Sequence, residues 1–334
     1  MSKNKTRERN KFGMNTNVMA RAAADGRRRL VRTLQGSTGV LAGYGVLGLN
    51  PWLPESREQA ALWANTDEQA LAAAQLFVAD ASMVSLIDAA APTMPDQPLR
   101  ATDIPTGPEP GVLWFETPLP DRSDIAPHAP IQALAWQTLP AGHPLLRDGR
   151  GASVVLTAWV RTNDFAEAIG NAAPDDAPRL TPFTTVAWEV DTLIGTVHGE
   201  VPVDAGSVPL FFQRVAAAFW TLLSQPTVTS SRREQPLSSS DRRRHRRAGV
   251  VDPSAGVRVI TLATQQRAES GGTGRALVNR HIVRGHWRRQ WYASLEEHRH
   301  VWIHAFVKGP AGAPLLGGER VFAARGSSRS ATVA

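Results

Sequence analysis

Apolar and polar positions divide the chain into stretches of different texture. Residues 1–15 are polar, basic and aperiodic, the pattern of a disordered basic arm. From Asn17 to Leu34, Val18, Ala22, Leu30, Val31 and Leu34 recur at helical spacing; Gly26 weakens that helix and Gly36 stops it. The Gly-rich apolar run Ser37–Leu53 reads as a buried connection. Residues 56–91 carry the clearest helical pattern, with Ser56 as an N-cap and Gln59 completing a capping box. Asp67 is placed to cap a second helix, in which Leu71, Ala74, Phe77, Val78, Met83, Leu86 and Ile87 share a face until Pro92. Six prolines between residues 92 and 110 predict an extended linker.

Beyond Gly111 the texture is that of strands. Val112–Glu116, Ile131–Thr138, Ser153–Val160 and Phe183–Val190 are short runs rich in β-branched or aromatic residues, separated by turn formers. Val208–Ser224 has an apolar face broad enough for a nearly buried helix packed on the sheet. Residues 227–256, rich in Ser and Arg, form a low-complexity insertion expected to be disordered. Val257–Ala263 returns to strand, residues 270–274 are a Gly-rich turn, and the tail 326–334 is Ser/Ala-rich. The expected class is α+β: a helical region over 16–91, the linker 92–110, and an α+β domain over 111–325. In that domain a mostly antiparallel sheet packs against a buried helix and ends in a two-stranded hairpin.

Composition narrows the chemistry. The 334 residues contain no cysteine, which removes disulfides, thiolate metal sites and cysteine nucleophiles. No apolar run reaches the ~18 residues of a membrane span, so no membrane partner is expected. The net charge of +7 conceals +8 over residues 1–33, −13 over 34–230 and +12 over 231–334. Basic ends around an acidic middle suit a polyanionic partner, or a fold that neutralises itself. Arg27-Arg28-Arg29 before the apolar run loosely resembles a twin-arginine export signal, but its depth in the chain and Asn50-Pro51 favour a cytoplasmic protein.

The most distinctive segment is His281–Pro310. Read as a strand, it places Trp287, Arg289 and Trp291 on one face and Arg284, His286, Arg288, Gln290 and Tyr292 on the other. A partner strand Val301–Val307 carries Trp302, His304 and Phe306 on one face, after a linker Ala293–His300; Lys308 follows. Arginines interleaved with Trp287, Trp291 and Tyr292 offer phosphate contacts and stacking surfaces, the residue types that bind RNA. The alternative is that the tryptophans fill the core and the arginines pair with acidic segments. The expected binding residues are Arg284, His286, Trp287, Arg288, Arg289, Gln290, Trp291, Tyr292, His304 and Lys308, with 242–247 adding salt-sensitive affinity. A second reading is an extended or nascent peptide held on apolar surface around Trp302 and Phe306.

Catalytic signatures are absent from the sequence: there is no P-loop, no G-x-G-x-x-G, no G-x-S-x-G and no H-E-x-x-H run. His281, His286, His298, His300 and His304 match no zinc spacing, so no metal and no cofactor is expected. The best enzymatic alternative is a metal-dependent nuclease using Glu189 and Asp191, which would share a strand face, with His281 or His286.

The run R-G-H-W-R-x-Q-W-Y, followed by a W-I strand and K-G-P, is similar to a C-terminal signature of plasmid, phage and actinobacterial proteins. It resembles that of the type V-A anti-CRISPR-like domain family. Leu113-Trp114-Phe115-Glu116 and Ala133-Leu134-Ala135-Trp136 resemble internal blocks of the same group, and the resemblance spans roughly residues 110–325. It implies an α+β domain without established catalytic residues and an interaction role on mobile genetic elements. The combined expectation is a non-catalytic protein that binds RNA or a ribonucleoprotein through its terminal hairpin.

Overall fold

A computed structural model describes residues 2–35, 57–98, 100–122, 128–146, 151–173, 175, 177–193, 196–197, 201–202, 208–263 and 281–308. The Ser37–Leu53 connection, Ser56, the 270–274 turn and the 326–334 tail lie outside these residues. Helices α1 (Ser2–Gln35) and α2 (Arg57–Ala73) precede strand β1 (Gln75–Ala79) and helix α3 (Ala81–Ala90). Strands β2 (Gly111–Leu119), β3 (Ile131–Leu139) and β4 (Ser153–Arg161) follow, then helix α4 (Thr162–Ala168) and strand β5 (Leu180–Glu189). A small pair, β6 (Thr196–Val197) and β7 (Val201–Pro202), leads to helix α5 (Val208–Leu223). Strand β8 (Thr229–Glu234), helix α6 (Ser239–Arg247) and strand β9 (Val257–Leu262) complete the body.

The fold is α+β, built on a seven-stranded sheet in the order β5-β4-β3-β2-β1-β9-β8. Every pairing is antiparallel except those of β1, which runs parallel to both β2 and β9. Helices cover both faces, so the central strands are buried on both sides and read as continuous apolar runs. Leu76, Val78, Val112 and Trp114 face α1 and α2, while Phe77, Leu113 and Phe115 share the opposite core with α3 and α5. Gly26 is where α1 closes on the sheet: a Cβ there would stand 2.2 Å from the Trp114 ring.

Four sequence expectations need correction. First, α1 starts at Ser2, so residues 2–15 extend a helix rather than form a disordered arm. Extending an existing helix adds one hydrogen bond per residue fixed and needs no burial of its own. Second, the helix expected over Asp67–Ala91 is interrupted by β1. Leu76–Ala79 is too short an apolar run for periodicity to separate strand from helix. Asp80 caps the restarted helix by accepting from the Met83 N–H at 2.7 Å. Asp67 lies inside α2, buried, and accepts from Gln137 Nε2 (2.6 Å) and Thr157 Oγ1 (3.2 Å).

Third, residues 92–110 are not a spacer between domains. They are the return arm of the β1–α3–β2 crossover that parallel pairing requires. Met94 and Ile104 are buried in the core, and Thr106 Oγ1 accepts from the Trp136 indole N–H at 2.9 Å. The helical region and the 111–325 segment therefore share one sheet. Fourth, residues 227–256 are ordered as β8 and α6. Ser238 caps α6 through the Asp241 N–H (3.2 Å), and His245 is fully buried. Their stabilising partners lie on α1, about 220 positions away, where no local pattern reveals them.

Candidate nucleic-acid interface

The chain continues into strands β10 (His281–Val283), β11 (His286–Tyr292), β12 (Glu297–Ile303) and β13 (Phe306–Lys308). Antiparallel pairing of β11 with β12, and of β10 with β13, makes one kinked ribbon. The turn is Ala293–Glu296, with Glu296 at φ 51°, so the partner strand begins at Glu297 rather than Val301. A ribbon open to solvent does not need apolar residues at every second position, which hid Glu297–His300 from the hydrophobic pattern. At the kink, a Cβ on Gly285 would stand 2.5 Å from the Trp302 ring.

The base of the ribbon is core. Trp302 is 4% exposed and meets Trp287 edge to face, ring centroids 5.1 Å apart. The Trp287 indole N–H donates to the Ala90 carbonyl at the end of α3 (3.0 Å). The Trp302 backbone N–H donates to Gln225 Oε1 (2.9 Å), just beyond α5. These contacts correct two expectations: Trp302 is not docking surface, and Trp287 is an anchor whose half-buried ring is committed to the protein.

Farther out the ribbon is held by the 97–100 segment. His300 Nδ1 lies 2.9 Å from Gln97 Oε1, and Arg100 forms an ion pair with Glu297. Arg299 also donates to Glu297 at 2.5 Å, and the two arginines hold that carboxyl below its ordinary range. Burial pushes the His300 imidazole down, with Arg289 adding to the effect, and burial likewise pushes down His304. His304 is half-buried and turned toward the Val228 backbone, away from the exposed residues.

What remains is exposed. Trp291 and Tyr292 are 49% and 37% accessible, and Arg284, His286, Arg288, Arg289, His298 and Arg299 are open to solvent. Register places Arg289/His300 and Trp291/His298 on one face, and Arg288/Val301, Gln290/Arg299 and Tyr292/Glu297 on the other. Trp291 meets His298 at a tilt, ring planes 59° apart and centroids 4.9 Å apart. Arg288 donates to Gln290 Oε1 (2.8 Å), Gln290 Nε2 donates to the Trp291 carbonyl (3.2 Å), and His286 Nδ1 sits 3.0 Å from the Arg284 carbonyl. Eight of the ten expected residues thus belong to one ribbon arm; Lys308 closes its far end opposite His281, and His304 points inward. Arg299 and His298 were missed, because the segment holding them read as a linker.

The nuclease alternative fares differently. Asp191 lies past the end of β5 in a turn, at φ 66°, so it does not share a strand face with Glu189. Glu189 accepts from the Gly151 N–H at 2.9 Å. Among the described residues, no group of three or more His, Asp or Glu could hold a metal ion. No described helix is long and apolar enough to cross a membrane. Arg27, the first arginine of the export-like run, is buried in α1 and donates to the Ala74 carbonyl (2.7 Å); burial pulls its guanidinium down to about 10.

No protein-family model matches the chain, and no curated protein matches it. Among solved structures, the chain is similar to the crystal structure of AcrVA2, at 11% identity and a TM-score of 0.36, over 88% of this chain and 97% of that one.

Proposed function

We propose that the protein is a non-catalytic binding protein whose terminal ribbon engages single-stranded RNA, free or within a ribonucleoprotein. One observation carries this reading. The ribbon buries Trp302 and ties down Trp287 at its base, then delivers Trp291 and Tyr292 to solvent among Arg284, Arg288, Arg289 and Arg299. Each face of the ribbon sets an open aromatic ring beside arginine, Trp291 with Arg289 on one and Tyr292 with Arg288 and Arg299 on the other. That matches what a single strand offers, phosphates alternating with bases that stack. Burying the anchors also answers the core-filling alternative, since the core takes two tryptophans and leaves the third. A role on mobile genetic elements is the part of this proposal that comes from the terminal segment's sequence resemblance.

Filter binding of labelled single-stranded RNA at two salt concentrations tests the reading. Binding is expected to weaken with salt, and Arg288→Ala with Arg289→Ala is expected to flatten that dependence. Affinity indifferent to both salt and these substitutions overturns it.

A second reading has its own observation. Leu295 and Phe306 are also exposed, 49% and 43%, so the ribbon presents apolar area that a peptide could cover. A pull-down repeated after nuclease treatment separates the readings, because a peptide partner survives and an RNA-bridged one is lost.

A further inference from the structure

On the opposite side of the sheet, α6 lies against α1 and creates a second basic surface that the ribbon reading does not use. The contacts Arg21–Asp241 (3.0 Å), His245–Asp25 (3.3 Å) and Gln35 to the Ala248 carbonyl (3.4 Å) ascend both helices together. The helices therefore run side by side in the same direction. Their shared seam holds two carboxylates, and both are spent inside it. Asp25 is shared by Arg28 (3.4 Å), Arg244 (3.6 Å) and His245, and Asp241 by Arg21 and Arg244 (3.0 Å each). Outside the seam, Arg29, Arg32, Arg243 and Arg247 are exposed, and among the described residues they form no ion pair.

A solvated, self-sufficient helix pair does not call for this arrangement. The helix dipole favours cations in a last turn, which accounts for Arg32 and Arg247. It does not account for Arg29 and Arg243, and Arg243 repels Arg247 at i,i+4 spacing. Among the described residues no carboxylate is paired with Arg243 or Arg247; Asp252, just past α6, acts on Arg27 and Arg246 instead.

We infer that the paired α1–α6 helices form a phosphate-binding surface for the backbone of double-stranded nucleic acid, separate from the ribbon. The rows of guanidinium groups suit phosphodiesters because each planar fork donates two parallel hydrogen bonds to one phosphate. Among the described residues, the aromatic side chains that are exposed, Trp291, Tyr292 and Phe306, are all on the ribbon. With no exposed aromatic among its described residues to stack on unpaired bases, the α1–α6 surface contacts backbone and is indifferent to sequence. A lipid surface is the weaker partner, since a helix lying on a bilayer needs a face of bulky apolar residues beside its cations. Among the described residues of this surface only the isolated Val18 on α1 and Val251 beyond α6 are of that kind. The exposed positions of α6 are Ser239, Ser240, Arg243, Arg244, Arg246 and Arg247.

The test uses the full chain with Arg29→Ala, Arg243→Ala and Arg247→Ala combined, all three at exposed positions. The probes are duplex DNA, single-stranded RNA and vesicles of anionic phospholipid. The triple variant is expected to lose about tenfold or more of its duplex affinity at low salt. Its log–log salt slope should fall by about 0.9 for each phosphate contact removed. The corresponding Arg→Lys triple variant is expected to keep the salt slope, which depends on charge, while losing part of the affinity with the bidentate forks. That result shows that charge rather than folding was altered in the alanine variant. Single-stranded RNA binding, governed by Arg288 and Arg289, should be unchanged. Duplex affinity equal to that of the parent overturns the inference, as does duplex binding that depends on Arg288 and Arg289 instead. Vesicle binding lost in the alanine variant, with no duplex binding in the parent, also overturns it. Failure of the ribbon to bind RNA leaves the duplex measurement readable, because the two sets of substitutions share no residue.

Discussion

The terminal ribbon and the α1–α6 seam are both rich in arginine, yet they hold their charge in different ways. In the seam the guanidinium groups converge on Asp25 and Asp241 and enclose a fully buried imidazole, His245. At the base of the ribbon the fastening is aromatic: Trp287 and Trp302 enter the core and leave Arg284, Arg288 and Arg289 outside any ion pair among the described residues, while Arg299 is held by Glu297. A charged anchor depends on its buried members, since removing Asp25 leaves the fully buried His245 without its partner. An aromatic anchor depends on volume, and its exposed neighbours can change without disturbing it. Function is therefore expected to be separable from stability in the ribbon and entangled with it in the seam.

The largest effect that would expose this contrast is Trp302→Ala. Truncating a buried tryptophan is expected to cost about 3–5 kcal/mol, read as a lower denaturant midpoint, with the ribbon released from α5. A loss well under 1 kcal/mol would mean the base of the ribbon is not core. Next comes Asp25→Ala in the seam, which leaves Arg28, Arg244 and His245 without their shared acceptor. Roughly 1–3 kcal/mol of destabilisation is expected for an unpaired buried group. Chemical denaturation of the two variants side by side compares the two kinds of fastening directly.

Trp291→Ala sharpens the comparison from the other side. Its ring is half exposed, so stability should stay within about 0.5 kcal/mol of the parent. RNA affinity should nonetheless fall by roughly 1–3 kcal/mol, the value of one lost base stack. Equal losses in folding and binding would break the proposed division of labour.

The smallest effect is pH dependence. Burial lowers His245, His300 and His304 below the ordinary imidazole value of 6.5. As the pH falls through 6.5 the unfolded chain takes up protons before the folded one does, so stability declines on acidification and is fully present above that value. Thermal melts across this range should show the decline, and His245→Gln should reduce its slope.

The hydrophobic pattern was enough to place β3, β4, β9 and α5 to within a residue or so, and β2 and β5 to within about three. Those elements are buried or broad-faced, so their own side chains announce them. The pattern failed where an element depends on distant partners. Leu76–Ala79 became a strand because Gly111–Phe115 and Val257–Ile260 pair with it on either side. Ser239–Arg247 became a helix because Asp25 lies beside it. In the ribbon, Arg288, Trp291 and Tyr292 were singled out from the sequence and are exposed, while the equally exposed Arg299 was concealed by a turn placed too late in the chain.

The sequence by itself determined the α+β class, the main strands, the buried helix and the concentration of arginine and tryptophan near the end. These follow from local periodicity and composition, which each segment carries whatever its neighbours do. Only the tertiary structure decided which tryptophans are core and which carboxylates are spent. It alone showed that the Ser/Arg stretch is ordered and that the proline-rich stretch is a crossover. Those outcomes depend on which distant residues compete for the same buried space and the same charge.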